Sequence, residues 1–192
     1  MNACAAFRFR LPPPSVTALL LALAFLAMPG ARADVPREYK LKAAFLFNFT
    51  KYVQRPSALP ADSERTIVIG LLGSDPFEGE LQRIARGRRS GSHPVAVRVL
   101  TGLEEVGAAD LLFVPAAEEG RFAALAAKLR KVPVLTVGES GRFLDDGGVL
   151  AFVRDGDRLR FSIALGAVRR SGLQVSAQLL SLATLVPEKG QP

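Results

Sequence analysis

Apolar positions change their period several times along the chain, and each change marks an element. In EYKLKAAFLFNFTKYVQRP, residues Leu41, Phe45, Phe49 and the Tyr52-Val53 pair recur at helical spacing. This predicts a helix that ends before Pro56, because the residue ahead of a proline is pushed out of the helical region. Phe45, Phe47 and Phe49 are expected mostly in the core. SALPADSER follows as a loop. TIVIGLLG, from Thr66 to Gly73, is a continuous β-branched and apolar run, which predicts a strand buried on both faces. DPFEGELQRIARG predicts a helix, with Asp75 as N-cap, Pro76 in the first turn and Gly87 as stop. Strands are predicted at Val95–Leu100, Asp110–Pro115 and Val132–Gly138. Between the last two, Glu118 to Lys131 is an alanine-rich helix with acids first and bases last, as the helix dipole favours.

After Gly138 the pattern shifts. Gly147–Val153 and Arg158–Leu165 flank Asp155-Gly156-Asp157, which predicts a β-hairpin. In its second strand Leu159, Phe161 and Ile163 alternate with Arg158, Arg160 and Ser162, so one face is expected to be wet. GAVRRSG reads as a short helix closed by Gly172. Val175, Leu179, Leu182 and Val186 then fall on one stripe, which predicts a C-terminal amphipathic helix, and EKGQP is a tail. Strands alternating with helices give an α/β fold: a single-domain sandwich with a mostly parallel central sheet, a closing β-hairpin and a C-terminal helix.

The chain start changes the compartment. Met1–Pro14 carries Arg8 and Arg10 and no acid, Val16–Met28 is almost unbroken apolar, and Ala31-Arg32-Ala33 ends the segment. These are the parts of a secretory signal peptide over residues 1–33, too short in its apolar run for a transmembrane helix. The domain is then 34–192, exported and most simply periplasmic. Removing Arg8, Arg10 and Arg32 lowers the formal net charge from +7 to +4, a bias too modest to argue for nucleic acid. The one cysteine, Cys4, lies in the leader, so the mature domain has no disulfide and stands on its apolar core.

Candidate chemistry is sparse. His93 is the only histidine, and with no cysteine beside it a metal site or a nucleophile–histidine pair has no material. Ser140 in GESG lacks the later glycine of a nucleophile elbow, since Arg142 stands there. It reads instead as a helix N-cap or turn residue. Asp145-Asp146-Gly147-Gly148 has too few neighbouring acids to hold a cation and reads as a glycine-permitted turn. GLLGSDPFEG follows a strand and opens a helix, but it lacks dinucleotide-binding glycine spacing, and Pro76-Phe77 crowd the phosphate position. No cofactor, metal or catalytic residue is expected, which points to a binding protein and not an enzyme.

Five stretches in order, NFTKYVQRP, IGLLGSDPFEGEL, LLFVP, PVLTVGESGRFLDDGGVLAF and RLRFSIALGAVRRSGLQVSAQLLSLATLV, resemble the YfiR-like family across nearly the whole mature chain. The resemblance implies a small periplasmic regulator. The best-known members repress a membrane-bound diguanylate cyclase through its periplasmic sensor region, and an outer-membrane lipoprotein relieves the repression. Some relatives are fused to sensor kinases. The chain departs from the family at Arg55, where a tryptophan is usual, at Ala164, where an asparagine is usual, and in lacking disulfides. The expected function is therefore repression of an inner-membrane cyclase in cyclic-di-GMP signalling, with a small-ligand sensor or solute-binding domain as the alternative. Expected partner contacts are Arg158, Arg160, Arg169, Arg170, Gln174 and Gln178, and a homodimer is compatible with them. For a small ligand, the expected surface lies beyond the strand ends, at Ser74, Asp75, Glu139, Ser140, Gly141 and Arg142.

Overall fold

The computed structural model describes residues 36–54 and 65–187. The expected leader over 1–33, nearly all of the 57–65 loop, Arg55 and the 188–192 tail lie outside those residues. Helix α1 (Arg37–Tyr52) leads into β1 (Val53–Gln54). There follow β2 (Ile67–Leu72), α2 (Glu80–Ala85), β3 (Arg89–Ser90), β4 (His93–Leu100), α3 (Leu103–Val106) and β5 (Leu111–Phe113). A 3-10 turn (Ala116–Glu118) opens α4 (Glu119–Leu129), and then come β6 (Leu135–Gly138), α5 (Gly141–Asp145), β7 (Leu150–Asp155) and β8 (Arg158–Ala164). The chain closes with α6 (Leu165–Ser171), β9 (Gln174–Val175), α7 (Ala177–Leu182) and β10 (Thr184–Val186).

The main sheet has eight strands in the order β10-β8-β7-β6-β5-β2-β4-β3. It is parallel except at the β7–β8 hairpin and the β3–β4 pair. A separate ribbon pairs β1 with β9. From β2 the chain adds β4 on one side, then crosses back to add β5 on the other. The order of winding thus reverses between β2 and β5, and such a reversal leaves a crevice beyond the strand ends.

Alternation along the strands splits the core in two. Ile69, Leu71, Leu111, Phe113, Leu135, Val137, Leu150, Phe152, Phe161 and Ile163 face one cluster, which α1, α2 and α7 cover through Leu46, Phe47, Phe49, Leu81 and Leu179. Leu72, Leu112, Val114, Val134 and Ala151 face the second, with Phe122 of α4 and Phe143 of α5. Both faces are buried, so the strands read as apolar runs. On the first face Phe45, Phe49, Phe152 and Phe161 form an aromatic cluster with ring centroids 5.1–6.1 Å apart.

Three expectations need correction. The helix expected from Asp75 begins only at Glu80. The Asp75 carboxylate instead accepts hydrogen bonds from Phe77 N at 2.8 Å and Gly79 N at 3.0 Å, which holds a turn in which Glu78 and Gly79 have φ of 48° and 83°. Two left-handed residues in succession cannot belong to an α-helix. The C-terminal helix exists but is shorter than its apolar stripe. Val175 pairs with Val53 in the ribbon, Ser176 caps α7 by accepting from Leu179 N, and Ala183 is extended, so Thr184–Val186 pair with β8. Leu182, expected on the buried stripe, is 66% exposed. On α1, Leu41 lies outside the core, and Lys42 takes a buried place beside Ala43 and Leu46.

The stretch VLTVGESGRFLDDGGVLAF is explained by one ring. A Cβ at Gly138 would lie 2.2 Å from Phe143 Cγ, and one at Gly148 would lie 2.1 Å from Phe143 Cε1. Phe143 is fully buried against these two glycine backbones and against Phe122, with 4.4 Å between the ring centroids. Ser140 caps α5 by accepting from Phe143 N, and Gly147 turns the chain at φ 101° into β7.

Candidate functional site at the strand ends

The crevice lies beyond the carboxyl ends of β2, β5 and β6. The residues that follow these strands are Gly73–Phe77, Val114–Ala116 and Glu139–Ser140. Instead of standing open, this end of the sheet is closed by side chains of the first helix. Tyr39 packs edge-on against Phe77, with ring centroids 5.6 Å apart, and its hydroxyl points to Glu139 Oε2 at 3.4 Å. Lys42 Nζ sits 2.6 Å from Glu139 Oε1 and 2.6 Å from Glu38 Oε1. The Lys42 and Glu139 side chains are each 6% exposed. The second Glu139 oxygen accepts from Ala116 N at 2.7 Å, so both carboxylate oxygens are satisfied. Glu38 in turn reaches Arg154 Nη2 on β7 at 3.0 Å. The result is a continuous chain, Arg154–Glu38–Lys42–Glu139, from the hairpin to the strand ends.

Its electrostatics follow from burial and pairing. Burial opposes the Lys42 charge, but the hydrogen bonds to Glu139 and Glu38 outweigh it and hold the ammonium above its ordinary pKa. The Lys42 hydrogen bond, with Arg154 adding to it, lowers Glu38. Burial and the Glu139 carboxylate raise the Tyr39 phenol. Beneath the network, Glu119 at the start of α4 accepts from Glu139 N at 2.8 Å and from Ser140 Oγ, where the helix dipole favours its charge. Such an arrangement anchors the helix to the sheet. It has no unpaired base or nucleophile to offer a substrate.

The expected ligand residues therefore separate by role. Glu139, Ser140 and Asp75 have their polar atoms engaged within the fold, Asp75 also accepting from Gln82 Nε2 at 2.9 Å. Ser74, Gly141 and Arg142 are exposed, the Arg142 guanidinium lying 3.7 Å from Asp146. Ser74-Asp75 and Glu139–Arg142 share one end of the sheet, with the end of β5 between them. His93 opens β4 opposite Ser90. Among the described residues no group of three or more His, Cys, Asp or Glu is placed to hold a metal ion.

The expected partner residues also divide. Arg158 and Arg160 stand at the hairpin end of β8, Arg160 pairing with Asp155 at 2.6 Å. Arg154, opposite Leu159, points to the other face and joins Glu38. Arg169 and Arg170 lie in the last turn of α6, beyond the far end of β8, and Arg170 borders a shallow groove with Phe122, Ala126 and Thr136. Gln174 is on the ribbon and Gln178 is exposed on α7. Sequence reasoning missed Tyr39, Lys42, Glu38 and Glu119. One signal was available for Lys42: a lysine four residues after a glutamate, one turn before the buried Leu46 and two before Phe49.

A family model described as YfiR/HmsC-like matches residues 39–184, from Tyr39 through β10. The chain belongs to the YfiR/HmsC-like family. This family is regulatory rather than catalytic, and it suggests a periplasmic regulator of diguanylate cyclase signalling. No curated protein matches the chain. One solved structure with some likeness is described as the ABC domain in complex with L-Trp from Streptococcus pneumonia. It is 11% identical, with a TM-score of 0.45 over 62% of this chain and 55% of that one. Another, a conserved domain protein from Vibrio cholerae, is 9% identical, with a TM-score of 0.45 over 78% of this chain and 60% of that one. The chain thus spans less than two thirds of either, and neither likeness bears on function. Among the described residues of this YfiR/HmsC-like chain, no helix is long and apolar enough to cross a membrane.

Proposed function

We propose that this chain is a periplasmic signalling regulator that binds the extracytoplasmic sensor region of an inner-membrane diguanylate cyclase and represses it. Residues 1–33 serve as the cleaved leader and 34–192 as the exported domain. Repression works by population shift: the bound regulator favours the inactive arrangement of the cyclase dimer and supplies differential contacts, not chemistry. Relief by an outer-membrane lipoprotein and a homodimeric resting state belong to the same proposal.

The observation that carries this reading, beside family membership, is the filled crevice. The place where a fold of this winding holds a small ligand is occupied by Tyr39, Lys42, Phe77 and Glu139 of the chain itself. The groups taken as contacts lie elsewhere: Gln174 and Gln178 are exposed beside the exposed Leu182 and Leu185 of the C-terminal segment, and Arg158 and Arg160 stand apart from them at the hairpin end of β8. That combination of apolar surface with polar neighbours suits a protein interface.

Binding of the purified protein to the purified extracytoplasmic region of the cyclase tests the contacts. Charge reversal of Arg158 and Arg160 together is expected to weaken binding at least about tenfold, mostly through a slower association rate at low salt. Equal affinity of the wild type and this variant would remove the hairpin from the interface.

A further inference from the structure

The net charge of the domain is not spread over its surface. From Leu81 to Gly102 the chain carries Arg83, Arg86, Arg88, Arg89 and Arg98 and no acidic residue. This segment alone is +5, against +4 for everything after Ala33, so the rest of that stretch nets −1. The fold puts the segment at one place, the β3–β4 rim of the sheet, with α2 leading into it.

Arg83 is neutralised by Glu80 at 2.7 Å. The other four are exposed, and among the described residues no carboxylate pairs with them. Arg86 ends α2. Arg88 lies over the Phe47 ring at 5.7 Å, and Lys51 lies over the same ring at 5.0 Å, so a fifth cation joins from α1. Arg89 pairs with Pro94, which puts it on the same face of β4 as Arg98, while Arg88 lies on the α1 side. The cations therefore wrap around a sheet edge instead of converging on a point.

A pocket for a single anionic group needs convergent donors. A divergent rim of guanidinium groups fits an extended anionic surface, and arginine pairs with phosphate in bidentate fashion. We propose that the β3–β4 rim is an electrostatic docking surface for the anionic phospholipid headgroups of a membrane. The topology supports it. The rim and the C-terminal strand β10 are the two opposite edges of the eight-stranded sheet, separated by seven strand spacings, or roughly 34 Å. A molecule resting on the bilayer by β3 keeps β10 and the C-terminal segment free for a protein partner. Docking of this kind would concentrate the protein at the bilayer without inserting any segment.

The test is sedimentation of the exported protein with vesicles of phosphatidylcholine alone and of phosphatidylcholine with phosphatidylglycerol. Binding is expected only to the anionic vesicles and is expected to fall as salt rises toward about 0.15 M. Each arginine lost is expected to lower partitioning about fivefold, so Arg86→Gln/Arg88→Gln/Arg89→Gln falls about a hundredfold. Arg98→Gln, on a strand that keeps its pairing, falls about fivefold on its own. Arg158→Gln/Arg160→Gln partitions as the wild type does. Equal binding to neutral vesicles, or an equal loss from the hairpin variant, overturns the proposal. So does capture of soluble polyglutamate with no vesicle binding, which would make the rim a site for an acidic polypeptide. No cyclase is present in this experiment, so its failure leaves the repressor reading standing.

Discussion

Lys42→Ala is expected to destabilise the protein by about 3–5 kcal/mol, because it leaves the Glu139 carboxylate buried without its counter-charge. Lys42 holds two carboxylates at 2.6 Å, and Glu139 has no route to solvent beyond 6% of its side chain. A buried pair is itself weak evidence for stability, since replacing both partners by apolar groups of similar volume is often neutral. The double change Lys42→Met/Glu139→Leu should therefore recover most of the loss, short of the share that leaves Ala116 N without its acceptor. Urea denaturation of wild type, single and double variants measures this directly. A single variant within about 0.5 kcal/mol of wild type would show that the chain from Arg154 to Glu139 does not hold α1.

The same network sets a pH window. Lys42 is raised above its ordinary value of 10.5, so its contribution is complete below that value and is lost as pH climbs through the higher folded one. Glu38 is lowered from 4.5, so its contribution is present above that value and fades as pH falls through the lower folded one. Both are intact in the neutral range. Lys42→Ala should remove the alkaline limb of the stability–pH profile and the part of the acid limb that Glu38 owes to Lys42.

Phe49→Ala is expected to cost about 3–5 kcal/mol and to lower Tm by roughly 10 °C. Phe49 is 1% exposed, and its ring lies 5.1 Å from Phe161 and 5.9 Å from Phe152, joining α1 to both strands of the hairpin. Phe45, half-buried at the edge of the same cluster, should cost less. Equal losses at the two positions in thermal unfolding would contradict the burial order.

These two sites show what the sequence made legible. The central strands were readable because Ile69 and Leu71 face one core cluster while Leu72 faces the other, which leaves an unbroken apolar run. The hairpin was readable because Gly156 at φ 58° closes a two-residue loop between Asp155 and Arg158. The network between α1 and the strand ends was not. Lys42 and Glu139 are 97 residues apart, and no local period records that α1 crosses the ends of β5 and β6. Glu139 was singled out as a ligand contact from its place after a strand, a location that the fold uses for its own lysine.

The C-terminal segment misled for a related reason. Val175, Leu179, Leu182 and Val186 keep helical spacing, yet tertiary pairing with β1 and β8 takes both ends of the run into strands. Thr184 and Val186 are β-branched and suit that outcome. The short edge strands β3 and β10 carry no alternating pattern long enough to read. Yet these two edges bear part of the exposed surface on which the proposed contacts rest, Arg89 at one and Leu185 at the other.

If the protein restrains a membrane diguanylate cyclase from the periplasm, as proposed, its loss frees that cyclase. Cellular cyclic-di-GMP in a deletion strain tests it most directly, measured beside the same strain carrying the wild-type gene and the Arg158/Arg160 charge-reversal variant. The expected result is a rise on deletion, return to the parental level with wild type, and at most partial return with the variant. A cyclic-di-GMP level that does not change when the gene is lost would contradict it.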